Sequence, residues 1–357
     1  MKAAIVHDFA LPMRVEDFPD PKLRSGCVII RVLAAFVPAV MNEFTHGKVP
    51  FNLPALPYVP GADAVGVVEA VADDVHGITV GQRVYCDDYV SLRGTPEIGA
   101  YVGLGAMMPG SEPVLAEWPN GCFAEKLILP AECITPLGIA EHIAPGMLSR
   151  LGYFGTSYGA MLKGNFQPGQ VAVVNGATGM LGVGTVLLLL ALGAARIVAL
   201  GRRQDVLERL EQLDATRVKS VAVSDDGIDA ASIISAAGEQ AQLFIDAIGF
   251  TTNSSLTMAG IASLGLEGYA VLIGGVNTEI PIAYATQMIG LKLTIRGAEW
   301  FPASKTADLL RMMGSGMLDL SSLSVRSFPL DKAQMALDYA QSGPGGFEHV
   351  AIEMEDD

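Results

Sequence analysis

The chain has 357 residues, 50% of them apolar, and its 38 Asp and Glu outnumber 23 Lys and Arg to give a formal net charge of -15. That length accommodates two ordinary domains with substantial cores, and so acidic a chain would be repelled by nucleic acid or an anionic membrane, which leaves a small molecule as the expected partner. Cys27, Cys86, Cys122 and Cys133 contain no CxxC pair, which excludes a zinc knuckle and a disulfide framework and predicts a reducing, cytoplasmic setting.

The opening MKAAIVHDFA has only four apolar residues between Lys2 and His7, too short an apolar run for an export signal. Up to about residue 140, the β-like runs KAAIV, VIIRVLAAFV, DAVGVVEAV and FAEKLIL alternate with turns rich in proline and glycine, such as FPDPKLRSG and LPALPYVPG. This pattern predicts a compact β-rich domain. Beyond it, VAVVN, RIVAL, SVAV, LFIDAIG, YAVLIGG and LTIRGA alternate with helical patterns such as DVLERLEQL, as in a parallel sheet with crossover helices. After Trp300, two helical patterns lead to a last strand, HVAIEM, and an acidic tail. Val171 to Ala195 carries no charge, and mean hydropathy is +0.39. Asn175, Gly176, Thr178, Gly179, Gly182 and Gly184 nevertheless break the run, leaving about half of the ~20 apolar residues a membrane span needs. A buried strand, a turn and a core helix account for it.

The turn Asn175, Gly176, Ala177, Thr178, Gly179, Met180, Leu181, Gly182 comes directly after the first of these strands and opens a helix. Small residues there let the backbone approach a pyrophosphate, and the helix start offers unpaired N–H groups to the anion. The alternative is a tight turn without a ligand. At the end of the second strand an acidic residue would hold the ribose hydroxyl of NAD, but the chain reads Gly201, Arg202, Arg203. Two guanidiniums suit a 2′-phosphate, so NADPH is the expected cofactor.

With these motifs, and with PGADAVGVVEAV, GITVGQRV, GTSYGAM, FIDAIG and VLIGG in this order, nearly the whole chain resembles the medium-chain dehydrogenase/reductase superfamily. The NGATGxxG form is most similar to its quinone oxidoreductase and enoyl reductase branches. The resemblance implies an α/β architecture: a GroES-like β-barrel domain over 1–138 and 299–357, and a Rossmann doubly wound parallel sheet over 139–298. It also implies that Thr156 approaches the nicotinamide carboxamide, that Asp246, Ile248 and Gly249 border the ribose, and that Gly274 and Val276 line the nicotinamide face. Asn42 and Tyr158 become candidates for touching substrate, Tyr158 equally being a core ring.

The zinc ligand positions of relatives read Pro38, Ala62 and Gly152 here, with Val40 and Glu43 at the proton relay. A tetrahedral site needs three or four N or S ligands together, so no metal is expected. Without a Lewis acid to stabilise an alkoxide, the expected reaction is hydride transfer from NADPH to a quinone or an α,β-unsaturated carbonyl. A metal-free NADP-dependent alcohol dehydrogenase or ketone reductase is the alternative, and a non-catalytic NADPH-binding sensor is another. Asp63 reads as structural in preference to a general acid, His349 reads as structural, and His46 either faces the cleft or is a solvated loop histidine. The segment around Met107, Met108 and Trp118 reads as an apolar lid or as ordinary packing. LKLTIRGA at 291–298 would be a sheet edge needing cover, and a homodimer is expected.

Overall fold

The computed structural model describes residues 1–92, 95–224 and 227–354; the acidic tail at 355–357 lies outside the described residues. Strand β1 (Cys27–Val37) is apolar on both faces apart from Arg31. A run of that kind must be covered on both sides, and it is the spine of a seven-stranded sheet. It pairs antiparallel with β2 (Ala64–Val71), which pairs in turn with β3 (Arg83–Cys86). β4 (Lys126–Pro130) also pairs with β1, and β5 (Ile134–Pro136) closes on β3. A short helix, α1 (Met41–Thr45), comes after β1.

After α2 (Leu151–Lys163) the chain enters β6 (Val171–Asn175), whose five residues are all buried. It continues through α3 (Met180–Ala191), β7 (Arg196–Gly201), α4 (Gln204–Leu213) and β8 (Val218–Ala222). The sheet is completed by β9 (Ala241–Asp246), β10 (Leu264–Leu272) and β11 (Thr294–Gly297). Every pairing is parallel, in the order β8-β7-β6-β9-β10-β11. The order reverses between β6 and β9, and in open parallel sheets ligands bind at the carboxyl ends beside such a reversal. α3 is buried from Gly182 through Leu189, because it lies between the sheet and α2, against which Thr185 and Ser157 join hydroxyls at 2.8 Å. No helix among the described residues is long and apolar enough to cross a membrane.

The chain then returns: β12 (Ser324–Pro329) pairs parallel with β13 (Glu348–Glu353), and β13 pairs antiparallel with β1. Trp118 is buried among the barrel residues with the Arg24 guanidinium 3.8 Å from its ring centroid. That anchoring argues against Trp118 as part of a movable lid, while Met107 stays exposed.

Candidate active site

Gly176 has φ of 72°, a left-handed backbone that a side chain would strain, and it turns the chain out of β6. A Cβ on Gly182 would lie 2.2 Å from the Gly176 carbonyl oxygen, so the first turn of α3 sits directly on the loop. The same loop touches residues at the ends of β9 and β7. A Cβ on Gly176 would meet the Ala247 oxygen at 2.7 Å, and one on Gly201 would meet Thr178 at 2.4 Å. Ile248 and Gly274 close the ring, the Ile248 oxygen lying 2.4 Å from a Cβ built on Gly274. Val276 bridges to Thr251 just beyond, and Gly249 borders open space. Ala177 is buried and donates its N–H to the Leu200 oxygen, whereas Gly179 is exposed and Met180 and Leu181 are half-buried. These residues lie together at the carboxyl ends of β6, β7, β9 and β10. A dinucleotide fits this cradle, which a side chain on Gly176 or Gly182 would fill.

Asp246 is 2% exposed, and its carboxylate is taken up: it accepts from Asn175 Nδ2 at 3.0 Å, Thr257 Oγ1 at 2.5 Å and the Ile248 N–H at 3.3 Å. It braces the turn from beneath. Thr156 is buried, and its hydroxyl donates to the Gly152 oxygen one helical turn back, at 3.1 Å.

Arg202 and Arg203 are both exposed but not equivalent. Arg203 is bound to Asp205 at 2.9 Å and donates to the Gly343 oxygen at 2.9 Å. Arg202 makes no hydrogen bond or ion pair with the described residues. Tyr158 packs half-buried against the parallel-sheet side, and Asn42 is buried on α1 in the barrel; no described hydrogen bond engages either side chain. His46 Nδ1 lies 2.8 Å from the Asn42 oxygen, closing its own loop.

The register Ala64 opposite Cys86 sets Asp63, just before β2, beside Asp87 and Asp88, just after β3. These three carboxylates are 1%, 3% and 3% exposed, and they offer oxygens all within 4.8 Å of one another. Tyr85 donates its hydroxyl to Asp63 Oδ1 at 2.5 Å. Asp87 Oδ1 accepts from Trp300 Nε1 at 3.0 Å and from the Tyr89 N–H at 2.9 Å. Asp88 Oδ1 is buried with no partner among the described residues. Burial pushes the Asp63 carboxyl well up, helped by the Asp87 charge, and does the same to Asp88, helped by both neighbours. Asp87 is pushed up to about 7 by burial, against the pull of Tyr89 and Trp300.

This cluster abuts α2, since a Cβ on Gly152 would lie 2.1 Å from Asp63 Oδ2. A thiolate or imidazole at 152 would have no room, and Pro38 and Ala62 offer no donor atom on their side chains. The residues present do not fit a zinc ion held by Cys and His. Sequence patterns marked Asp63 as structural and gave no role to Asp87, Asp88, Tyr85 or Trp300; the only signal was the pair of aspartates directly after the apolar strand. Nearby, the Arg150 guanidinium is fully buried, donates to the Met180 oxygen and ties α2 to the start of α3. A groove of about 940 Å³ lies elsewhere, along Lys2, Arg31, Glu125, Lys126 and Asp331, and shares none of these residues.

Comparison with known proteins agrees with this architecture. Residues 24–139 match the family described as the alcohol dehydrogenase GroES-like domain. L-threonine 3-dehydrogenase of Bacillus subtilis is 24% identical over 352 residues, 97% of each chain. The solved alcohol dehydrogenase TADH of Thermus sp. ATN1 superposes with a TM-score of 0.80 at 21% identity, covering 99% of this chain and 100% of that one. A protein named as a zinc-binding dehydrogenase, from Sinorhizobium meliloti 1021 and bound to NADP, gives 0.79 at 16% identity, covering 99% and 98%. The fold is a GroES-like barrel joined to a Rossmann sheet. The matched family covers the barrel segment alone, and the likeness of the whole chain to these dehydrogenases is one of fold.

Proposed function

We propose that the protein is an NADP(H)-preferring oxidoreductase that interconverts an alcohol and its ketone or aldehyde. A bound nicotinamide supplies or takes up the hydride. The glycine cradle would hold the pyrophosphate against the start of α3, and Arg202, exposed at the end of β7 with no partner among the described residues, would receive the 2′-phosphate. The observation that carries the choice of reaction is the buried network of Tyr85, Asp63, Asp87 and Asp88, one turn of α2 from Thr156. Interconverting an alcohol and a carbonyl moves a proton on or off oxygen, and this network holds a proton between Tyr85 Oη and Asp63 Oδ1. The relatives named above, alcohol and threonine dehydrogenases among them, favour the same reading.

A second reading, reduction of a quinone or an α,β-unsaturated carbonyl, is favoured by the absence of Cys and His donors at Pro38, Ala62 and Gly152. NADPH oxidation across saturated ketones, aldehydes, enones, enoyl thioesters and quinones separates the two. Turnover of saturated carbonyls, with NADP-linked alcohol oxidation in reverse, supports the first. Turnover confined to enones or quinones supports the second, and tight NADPH binding with no turnover at all would leave a sensor. We further propose a cytoplasmic homodimer: all four cysteines are free and buried, and β11 presents an uncovered sheet edge.

A further inference from the structure

Three buried carboxylates within 4.8 Å of one another cannot all be ionised without compensation. No Lys or Arg pairs with any of them among the described residues, so either protons or a cation must supply the balance. We propose that Asp63, Asp87 and Asp88 form a site for one hard divalent cation of the Mg²⁺ or Mn²⁺ kind, set between the barrel and α2.

Four observations carry this. The spacing fits, because oxygens bound to one cation at about 2.1 to 2.4 Å lie no more than about 4.2 to 4.8 Å apart. Asp88 Oδ1 is buried and unpartnered, and an oxygen left in that state costs free energy unless something binds it. Two of the carboxylates are already held in place by other groups: Tyr85 fixes Asp63, and Trp300 with the Tyr89 N–H fixes Asp87. Ligands in metal sites are oriented by outer hydrogen bonds of this kind. Finally, the donors are all oxygens, the set that hard cations take, and the neighbouring Cys122 thiol is otherwise engaged, its Sγ donating to the Ala62 oxygen at 3.1 Å. The site uses the carboxylates of the network to which the proposed reaction assigns its proton, but metal binding can be read without turnover.

The test is a titration of metal-depleted, full-length protein with Mn²⁺, following free Mn²⁺ by electron paramagnetic resonance and stability by thermal melting. NADPH binding is read by fluorescence on the same samples. Wild type should bind one Mn²⁺ per chain, released by excess Mg²⁺, and should melt higher when loaded. Asp88→Asn should weaken Mn²⁺ binding by at least about tenfold and lose the metal-dependent rise in melting temperature, yet bind NADPH as wild type does. Asp63→Asn, whose amide oxygen still accepts from Tyr85, serves as the second variant should Asp88→Asn fail to fold. The proposal is overturned if wild type binds no Mn²⁺ at millimolar concentration, if binding survives in whichever variants fold, or if the infrared band of protonated carboxylic acids persists at saturating Mn²⁺. Loss of NADPH binding by wild type would instead count against the oxidoreductase reading.

Discussion

Arg202 and Arg203 are adjacent and chemically identical, yet the structure separates their roles. Arg203 already has a carboxylate and a carbonyl to bind, whereas Arg202 has no partner among the described residues. A charge-assisted hydrogen bond to a phosphate contributes about 1.5 to 3 kcal/mol before solvation discounts it. Arg202→Ala is therefore expected to remove most of the preference for NADPH over NADH, and Arg203→Ala much less of it. Dissociation constants for both nucleotides, measured by fluorescence quenching, check this; equal losses in the two variants would contradict the assignment.

His349 offers a second test at this scale. It is fully buried in β13, Nε2 lying 2.8 Å from the Gly146 oxygen, and burial with the nearby Arg150 charge pushes it from 6.5 down to about 3. Between those values the unfolded chain binds a proton that the folded chain refuses. Stability is complete above pH 6.5 and falls as pH drops toward 3, by up to about 1.4 kcal/mol per unit. His349→Gln should flatten that slope in denaturant titrations between pH 6.5 and pH 3. An unchanged slope would show that His349 is not the group responsible.

Among the elements, the junction of β6 and α3 is the most constrained. A Cβ at Gly182 would stand 2.2 Å from a backbone oxygen that has nowhere to move. Gly182→Ala is expected to destabilise the fold by about 1 to 3 kcal/mol through overpacking and to abolish NADPH binding, as read by thermal melting with and without nucleotide. This element was legible in the sequence, because a buried strand, a small-residue turn and an apolar helix are contiguous and each leaves a local pattern. Asp246 was legible in place, whereas the partners of its oxygens, Asn175 and Thr257, show only in the fold. The aspartate cluster was not legible. Asp63 and Asp87 are 24 positions apart and meet only through the register of β2 on β3, which short-range periodicity does not specify. Likewise nothing local in the sequence separates Tyr158 from Asn42; tertiary packing puts one on the parallel-sheet side and the other in the barrel.

For the whole molecule, β11 and the segment before it leave an edge strand beside exposed apolar side chains, Tyr284 being 73% and Ile289 59% exposed. Such an edge invites pairing unless it is covered. Light scattering should give the mass of a dimer, and Ile289→Glu should shift it toward monomer; a wild-type monomer at micromolar concentration would contradict the expectation. The central claim concerns where the hydride goes, and one substrate can report it. An α,β-unsaturated ketone presented with NADPH deuterated at the transferable position carries both acceptor carbons in the same molecule. Alcohol–carbonyl chemistry predicts deuterium on the carbinol carbon of an allylic alcohol, seen by nuclear magnetic resonance of the product. Deuterium on the β-carbon of a saturated ketone would contradict it.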